Sequence, residues 1–510
     1  MLYCLTGMHE IYCKEGGMNI YSWLELNAQQ KPDKVSIRCL SEEITFSELW
    51  KLVNGLGESL QRAGVSRGDH VTIVLPNTPE FIIAYMAIAG IGAVVVPVNP
   101  TFTSRELAHI IKDSESVGII LEKTNLDTYQ RISEMCPLDF IITTGDEGTF
   151  QQWASPSSNS IPTQTDSDDV AAMIYSSGLT GYPMGAMLTH ANLDHNSNLI
   201  GLCMGVDDSD STLTIIPCFH SFSASANMLS MLRYGGSVYL MKRLDFKELH
   251  YALSEGGVTA VCAVPTLFYG LTHHPDLQDI DYQKMKCLIA GGSALDIEIY
   301  NAFKDRFGMD IRQGYGITEA SPVCAVNWGD FPIKPESIGH TVPEVDAKIV
   351  DENGKVLKPG VVGELLFKGP NIMKGYYNKE KETSEIIKDG WLYTGDLGYM
   401  DDEGYLYITG YKKEMIITSG FNVYSKEVVN VLNSLPGVKD SAIAGLPDPL
   451  RGSIIKAYIV RADPALSEKD VKQMARKQLA SYKTPRKVVF VPEIERDADG
   501  KALLEQLDET

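Results

Sequence analysis

Hydroxyl side chains and glycines are concentrated in residues 174–190, which read Ile-Tyr-Ser-Ser-Gly-Leu-Thr-Gly-Tyr-Pro-Met-Gly-Ala-Met-Leu-Thr-His. The residues of this stretch that could hold a ligand are Ser176, Ser177, Gly178, Thr180, Gly181 and Gly185. Glycines let the backbone approach a ligand closely, and hydroxyls and free N–H groups donate hydrogen bonds to phosphate oxygens. The spacing is not that of a Walker A loop, which occurs nowhere in the chain. The stretch is either a different phosphate-binding loop, which its composition favours, or an ordinary strand-to-helix connection.

Three further polar clusters follow predicted strands. They are Gly291-Gly292-Ser293, the run from Gln313 to Glu319, and the run from Trp391 to Asp396. Open parallel sheets bind ligands beyond the carboxyl ends of their strands. Each cluster alone is equally compatible with turn chemistry. Together with the loop they indicate a site for a nucleotide and a metal, with hydroxyls for phosphates, an aromatic side chain for the base, and carboxylates for ribose and Mg²⁺.

Hydrophobic periodicity predicts the strands and helices that must position these clusters. Residues 170–175 predict a buried strand, and Thr189 to Asn192 predict a helix start. Strands and helices alternate over residues 71–143 and again over 212–307, which is typical of a parallel sheet covered by helices. Residues 151–168 read as a polar linker, and residues 224–233 as one helix.

The same pattern predicts an α/β protein with separate parts. We expect a disordered extension over residues 1–18 and an N-terminal domain of helix-covered sheets over 19–410. Short strands with hairpin signals predict a β-rich subdomain at about 339–410. A small, mobile α+β C-terminal domain is expected over 411–510.

Composition excludes several classes of function. The formal net charge of −21 argues against nucleic acid and anionic membranes as partners. The nine cysteines are odd in number and scattered without a C-x-x-C, so neither a disulfide framework nor a zinc site is indicated.

The cellular location that we expect rests on the absence of recognisable targeting signals. The N-terminus lacks the pattern of a signal peptide. Residues 81–98 are uncharged and near the length of a membrane span, but a helix start at Asn77-Thr-Pro-Glu and stop signals at Gly90 and Gly92 favour a helix, a turn and a buried strand. We expect a cytoplasmic protein without a transmembrane segment, and a homo-oligomer is compatible with the sequence.

A family resemblance covers the chain from about residue 20 to residue 507. It is carried by motifs in a fixed order: Tyr175-Ser-Ser-Gly-Leu-Thr-Gly-Tyr-Pro-Met-Gly, Gly314-Tyr-Gly-Ile-Thr-Glu-Ala-Ser-Pro, Gly363-Glu-Leu, Trp391-Leu-Tyr-Thr-Gly-Asp-Leu-Gly, Met415-Ile-Ile-Thr-Ser-Gly-Phe-Asn-Val-Tyr and Gly500-Lys501. The chain resembles the adenylate-forming acyl-CoA synthetases, which are relatives of luciferase and of peptide-synthetase adenylation domains. Among them it is most similar to the fatty-acyl-CoA ligases.

The resemblance implies a two-step reaction that uses ATP, Mg²⁺ and CoA. A carboxylate attacks the α-phosphate of ATP to give acyl-AMP and pyrophosphate; the C-terminal domain then rotates, and the thiol of CoA displaces AMP. A fatty acid is the expected substrate, with an aryl or alicyclic acid as the alternative. Loading of a carrier protein and a catalytically weak nucleotide- or acyl-binding regulator stay open.

The resemblance also implies roles for individual residues. Thr318 would contact the AMP phosphate, Glu319 would help to hold Mg²⁺, and Asp396 would accept bonds from the ribose hydroxyls. Adenine would be framed by Gly291, Gly292 and Ser293 together with Gly314, Tyr315 and Gly316. Lys501 would bridge the carboxylate and the α-phosphate, which agrees with the charge that develops on phosphate oxygens. Its alternative is a solvated lysine in a charged tail.

Two further positions have competing interpretations. His220 resembles the family's gate beside the acyl carboxylate and is equally compatible with a core histidine. Lys413 sits at the hinge position just after Gly410, where a surface lysine is also ordinary. Phe222, Phe268 and Trp328 could close a short acyl pocket, or Ser223, Ala224 and Ser225 could leave a tunnel for an alkyl chain.

The chain also departs from the family pattern. Leu179 and Met184 stand where threonine and lysine are usual, and a methionine cannot supply charge to the leaving pyrophosphate. Tyr411 stands where an arginine usually contacts ribose, and it can donate only one hydrogen bond. Glu414 replaces an aspartate, and the tail around Lys501 lacks the usual proline and arginines. We expect an active enzyme with slower turnover or weaker use of ATP.

Overall fold

A computed structural model describes residues 19–40, 42–161, 165–176, 183–411, 415–448, 451–496, 502 and 504. Within these residues, helices and strands alternate up to about residue 326, mostly strands follow as far as Tyr411, and a smaller α+β region begins at Met415. The predicted fold class, α/β with a β-rich part and a small C-terminal α+β part, is confirmed.

Residues 19–153 alternate between strands and helices. The strands are β1 (Val35–Cys39), β2 (Glu42–Thr45), β3 (His70–Val74), β4 (Val94–Pro97), β5 (Gly118–Glu122) and β6 (Phe140–Thr144), and the helices are α1 (Tyr21–Gln30), α2 (Phe46–Arg62), α3 (Pro79–Gly90), α4 (Ser104–Asp113), α5 (Leu126–Gln130) and α6 (Phe150–Trp153). Thr103 caps α4 in a capping box with Glu106, which fixes the start of that helix. Helix α6 extends into the start of the predicted linker at residues 151–168, so the linker prediction was wrong there.

The uncharged run of residues 81–98 is buried inside the protein. It forms most of α3, a turn and β4, as the glycine signals predicted. Across the described residues we find no helix with the length and apolarity needed to traverse a bilayer.

Residues 170–341 continue the alternation. The strands are β7 (Val170–Ser176), β8 (Met184–Thr189), β9 (Ser211–Thr214), β10 (Ser237–Leu240), β11 (Ala260–Ala263), β12 (Cys287–Ala290), β13 (Arg312–Gly316), β14 (Val323–Val326) and β15 (His340–Thr341), and the helices are α7 (His190–Met204), α8 (Ser221–Ser223), α9 (Ser230–Tyr234), α10 (Phe246–Ser254), α11 (Pro265–His273) and α12 (Ile297–Phe307). A π-helical segment, Ala224–Leu229, joins α8 to α9, so the prediction of a single α-helix over residues 224–233 was wrong.

The remaining described residues form mostly strands. They are β16 (Asp346–Val350), β17 (Gly363–Lys368), β18 (Gly375–Tyr376), β19 (Ile387–Lys388), β20 (Trp391–Met400), β21 (Leu406–Tyr411), β22 (Met415–Thr418), β23 (Phe421–Tyr424), β24 (Val438–Asp448), β25 (Gly452–Arg461) and β26 (Lys487–Phe490), with helices α13 (Glu380–Ile386), α14 (Ser425–Asn433) and α15 (Glu468–Arg476).

Two large mixed sheets carry the site. One has the order β18-β8-β7-β4-β3-β5-β6, and the other has the order β15-β14-β13-β12-β11-β9-β10-β1-β2. Their central strands are parallel, with antiparallel pairs at the β18 edge of the first sheet and at both edges of the second, and helix α7 contacts strands of both sheets. Most central strands are buried, as expected when helices cover a parallel sheet. The other sheets are β16-β17-β20 with β19 and β21 on β20, the hairpin β22-β23, and β24-β25-β26.

Strand β8 corrects the prediction for the glycine-rich stretch. That stretch was interpreted as a strand, a loop and then a helix. Instead, β8 returns antiparallel to β7, with Ser176 opposite Met184 and Val170 opposite Thr189. Thr189 then caps α7, where the helix start was predicted. The loop therefore joins two paired strands of one sheet, and Ser176 marks the point where the pairing ends.

Candidate active site

Glu319 is held by hydroxyl groups from two other elements. It lies in a short 3₁₀ turn, Thr318–Ala320, directly after β13. Its Oε1 accepts hydrogen bonds from Ser176 Oγ at 2.8 Å and from the Tyr376 hydroxyl at 2.6 Å. Burial and then the nearby Glu319 carboxylate raise the pKa of Tyr376 well above its usual range, so this hydroxyl keeps its proton and remains a donor. The contacts join the end of β7, the end of β13 and strand β18 around one carboxylate.

Asp396 forms a second anchored carboxylate. It lies in β20, is buried, and accepts a hydrogen bond from the Tyr315 hydroxyl. Burial and then Asp396 raise the pKa of Tyr315 well above its usual range. The Tyr315 ring stacks on Phe367 with centroids 5.7 Å apart.

The run from Gln313 to Gly316, predicted as a loop after a strand, lies largely in β13 itself, because β14 pairs with it.

The segment Gly291 to Ser293 follows β12 and borders a cavity of about 450 Å³, named here the large cavity. Gly292 has a φ of +80°, which favours glycine. A Cβ at Gly291 would lie 2.9 Å from Cζ of Phe222, so a larger residue there would require that ring to shift. Gly314 and Gly316 also line this cavity, together with the Tyr315 and Asp396 pair.

His220 faces cavities rather than the hydrophobic core. It caps α8, and its Nδ1 accepts a hydrogen bond from the Phe222 backbone N–H at 3.2 Å. Desolvation lowers the pKa of His220 to about 4, so the imidazole is neutral near pH 7. With Nδ1 serving as acceptor, the proton of the neutral ring is on Nε2, which makes Nε2 a donor.

A smaller cavity of about 140 Å³, named the central cavity, adjoins the large cavity. It is bordered by Ser176, Glu319 and Tyr376, and it shares His220, Thr318 and Asp396 with the large cavity. The Thr318 hydroxyl lies 3.3 Å from the Ser221 hydroxyl. A polar group bound in the central cavity at Thr318 and an apolar group bound in the large cavity against Phe222 would therefore lie next to each other, beside His220.

The hairpin β22–β23 closes the site from the C-terminal part. Gly420, at its turn, has a φ of +80°, and its carbonyl oxygen would lie 3.9 Å from a Cβ at Gly292. Asn422 and Tyr424 extend from the hairpin to the central cavity. Burial, then Glu319 and Asp396, raise the pKa of Tyr424. Residues of the C-terminal part are therefore placed beside both carboxylates.

Some predicted site residues lie outside the described residues. These are Ser177, Gly178, Thr180, Gly181, Lys413 and Lys501. The backbone of Tyr411 belongs to β21 and pairs opposite Asp396. The roles assigned to these residues stay predictions.

A comparison with known families decides which family this arrangement belongs to. The sequence model of the AMP-binding enzymes matches residues 24–377, and that of the AMP-binding enzyme C-terminal domain matches residues 427–501. The chain belongs to the AMP-binding enzyme family. The predicted adenylate-forming resemblance is confirmed, and this AMP-binding enzyme is an AMP-forming acyl-CoA ligase.

Relatives of this AMP-binding enzyme act on different acids. A long-chain-fatty-acid–CoA ligase of Bacillus subtilis is 32% identical, with 96% of this chain and 94% of the relative covered. A feruloyl-CoA synthase of Amycolatopsis sp. is also 32% identical, with 94% and 97% covered. The structure of an o-succinylbenzoate CoA synthetase from Bacillus subtilis, bound with a product analogue, has a TM-score of 0.87 at 28% identity, with 96% and 98% covered.

In this AMP-binding enzyme, the unusual Met184 is a core residue. Only 2% of its surface is exposed, and it packs into the main hydrophobic core at the start of β8. Its thioether is therefore accommodated by burial. A lysine on the same backbone would have to turn out of the core to keep its charge hydrated.

Sequence reasoning missed two tyrosines of the AMP-binding enzyme's site. Tyr376 lies in β18, far along the chain from Glu319, and no signal in its own surroundings marks it. Tyr424 ends the motif that begins at Met415, so its position was noted without a role. Both meet Glu319 only through tertiary folding.

Proposed function

We propose that this acyl-CoA ligase activates a fatty acid to acyl-AMP with ATP and then transfers the acyl group to CoA. The single observation that carries the proposal is the junction of two cavities at His220, Thr318 and Asp396. The central cavity offers carboxylates and hydroxyls that suit the phosphates and ribose of a nucleotide. The large cavity offers Gly291 to Ser293 for adenine, and Ile200, Phe222 and Val323 as apolar walls that suit an alkyl chain.

The residues of the junction fit the nucleotide part of acyl-AMP. The Thr318 hydroxyl would donate a hydrogen bond to the phosphate, and Asp396 would accept bonds from ribose hydroxyls. Gly291 to Ser293 and the stacked Tyr315 ring provide a flat slot for adenine. The neutral His220, with its proton on Nε2, would donate a hydrogen bond to an oxygen of the acyl carboxylate and orient it toward the phosphate. Lys501, by family resemblance, would neutralise charge on the phosphate oxygens.

The donor set also fits Mg²⁺. Among the described residues no group of three or more metal-binding side chains occurs, while Glu319 borders the central cavity as a carboxylate. Mg²⁺ is commonly held by one or two carboxylates and by substrate phosphates rather than by a protein cage. Glu319 would hold the ion, which when bound would neutralise charge on the ATP phosphates. Ser176 and Tyr376 orient Glu319 for that role through their bonds to Oε1.

A third cavity supports CoA as the acyl acceptor. This outer cavity, of about 370 Å³, lies between the N-terminal and C-terminal parts and meets the central cavity at Phe219, Phe421 and Tyr482. Lys242, Arg451 and Arg486 line it. Cations at the outside and aromatic rings at the inner end suit a ligand with phosphates at one end and a thiol at the other.

An aryl acid is the second candidate substrate, and one contact favours it. The Phe222 ring lies over Gly291 at the border of the large cavity, where it would limit the apolar space and offer a face for stacking. Phe268 lies in a separate hydrophobic core, and the buried Ser223, Ala224 and Ser225 do not line this cavity. The tunnel considered from the sequence along Ser223, Ala224 and Ser225 is therefore not part of this cavity.

The experiment is a substrate panel with two readouts. Acyl-AMP is trapped with hydroxylamine for saturated acids from acetate to palmitate, for benzoate and for cinnamate-type acids, and acyl-CoA is then measured by mass spectrometry. We expect the highest kcat/KM with a saturated acid, and thioester formation with free CoA. Highest kcat/KM with an aromatic acid would select the second candidate. Acylation of a carrier protein without turnover of free CoA would overturn the CoA proposal.

A further inference from the structure

A buried lysine joins the C-terminal part of the chain to the N-terminal part. Lys483 lies between α15 and β26, and only 2% of its side chain is exposed. Its Nζ donates to Glu427 Oε1 at 2.6 Å and to Glu106 Oε1 at 3.1 Å. Glu427 belongs to α14 of the C-terminal part, whereas Glu106 belongs to α4 of the N-terminal part. The cluster therefore crosses between the two parts with one positive and two negative charges.

Contacts within its own helix fix the side chain of Glu106 independently of Lys483. Its Oε2 accepts from the backbone N–H and the hydroxyl of Thr103, both at 2.9 Å, in the capping box of α4. Its Oε1 is left to face the C-terminal part, where it accepts from Lys483 and from the Ala480 N–H at 3.3 Å. Arg105 adds a bond to Gln478 Oε1 at 2.9 Å. The first turn of α4 is thus a prepared docking point for residues 478–483.

The charges of Lys483, Glu106 and Glu427 make it energetically costly to separate the two parts of the chain. Burial opposes the charge on Lys483, but Tyr482, Glu427 and Glu106 together raise its pKa above the usual range, so it stays an ammonium ion. A buried ion cluster is strongly destabilised when one partner is removed, because the others keep their charge without solvent. Moving the C-terminal part away from α4 separates Glu106 from Lys483 and exposes both.

The same segment places aromatic rings at the site. Tyr482, next to Lys483, stacks on Phe421 with centroids 4.5 Å apart. Phe421 in turn faces Phe219 at 6.2 Å and His220 at 6.1 Å. These rings separate the central cavity from the outer cavity, where we place CoA. The position of Lys483 therefore determines the geometry of the entry through which a thiol must pass.

We propose that Lys483 is a positioning residue for acyl transfer, and that its bond to Glu106 holds the C-terminal part in the arrangement seen here. This inference rests on the proposed two-step function. Because the family resemblance implies that the C-terminal domain rotates between the two steps, and because the rings at this contact border the cavity proposed for CoA, the contact stabilises the second step and has to break for the first. Lys483 acts through Tyr482 and Phe421 and does not touch the reacting atoms.

The test measures the two half-reactions separately in the full-length enzyme. ATP–pyrophosphate exchange reports adenylation, and the conversion of supplied acyl-AMP to acyl-CoA reports transfer. For Lys483→Met and Glu106→Gln we expect transfer to fall by about tenfold or more while pyrophosphate exchange stays within about twofold or rises. Lys472→Met is the control, since its ion pair with Glu468 lies within the C-terminal part alone. Equal loss of both half-reactions, or no loss of transfer, would overturn the proposal.

A second readout does not depend on activity. Hydrogen–deuterium exchange in the absence of substrates reports the contact through the amides of α4 and of residues 478–484. Both variants are expected to exchange faster there than the wild type, and Lys472→Met is not. Unchanged exchange in both regions would overturn the contact itself. If the wild type forms no acyl-CoA from any acid but the exchange difference is present, the proposed function fails and the contact between the two parts stands.

Discussion

At the scale of the residue, we expect Phe222 to limit the space for the acyl chain in the proposed reaction. Its ring lies over Gly291 and borders the large cavity, which Ile200 and Val323 also line. Phe222→Ala would open that space without touching Thr318, Glu319 or Asp396. An apolar pocket discriminates by about 1–3 kcal/mol per methylene, so we expect the kcat/KM ratio of a long over a short fatty acid to rise by about tenfold. The measurement is steady-state kinetics over the saturated series.

A matched control separates this effect from a general loss of packing. Phe246→Ala removes a similar, partly buried ring that stacks on His274 and lines none of the three cavities. Its chain-length preference should equal that of the wild type. If Phe222→Ala lowers kcat/KM for all acids by the same factor, the ring orients the carboxylate instead of limiting chain length.

The extent to which the site could be predicted depends on how local each signal is. Thr318, Glu319 and Asp396 lie in contiguous motifs, so the family resemblance could point to them, and the structure brings all three to the central cavity. Tyr376 and Lys483 have no motif of their own. Each reaches its partner through folding, Tyr376 by the pairing of β18 with β8 and Lys483 by docking on α4. Contacts of that kind are set by tertiary structure, which periodicity does not report.

At the scale of the element, the position of the hairpin β22–β23 against the N-terminal part depends on one glycine. Gly420 has a φ of +80°, and an added Cβ would lie 2.6 Å from Val264 Cγ1 on the N-terminal part. Gly420→Ala should therefore displace the hairpin from Val264 and lower the rate of acyl transfer by about tenfold, while adenylation changes little. Pre-formed acyl-AMP and CoA provide the assay. Gly360→Ala, with a φ of +78° and nothing within 4 Å, controls for backbone strain alone. If Gly420→Ala and Gly360→Ala lower the rate of acyl transfer equally, the close approach of Gly420 to Val264 has no role in transfer.

Strands β8 and β13 show why some elements escaped prediction. β8 follows a glycine-rich loop and contains Gly185, and β13 contains Gly314 and Gly316, so both have low intrinsic strand propensity. They are strands because each pairs with neighbours that come from other parts of the chain, β8 with β7 and β18, and β13 with β12 and β14. By contrast, the start of α7 at Thr189 was predicted from the sequence, because a capping signal is local.

At the scale of the whole molecule, His190 ties the N-terminal helix to the sheet that carries the site. It is fully buried at the start of α7, and its Nδ1 accepts from the backbone N–H of Ile20, just before α1. Burial lowers the pKa of His190 to about 4, with the nearby Asp169 raising it and Arg67 lowering it. The folded protein therefore holds this imidazole neutral over a pH range in which the unfolded chain protonates it.

This difference predicts a dependence of stability on pH. Since the pKa of His190 is about 4 in the folded state against 6.5 for the free side chain, the unfolded chain binds the extra proton between these values. The contribution is fully present above about pH 6.5 and is lost as the pH falls toward 4, at about 3 kcal/mol in total. In urea unfolding, the wild type should lose about that much more free energy of unfolding between pH 7 and pH 4 than His190→Asn, which carries no group that titrates there. Parallel pH curves for the two proteins would show that the histidine is solvated in the folded state, and that the docking of residues 19–30 on α7 is open to water.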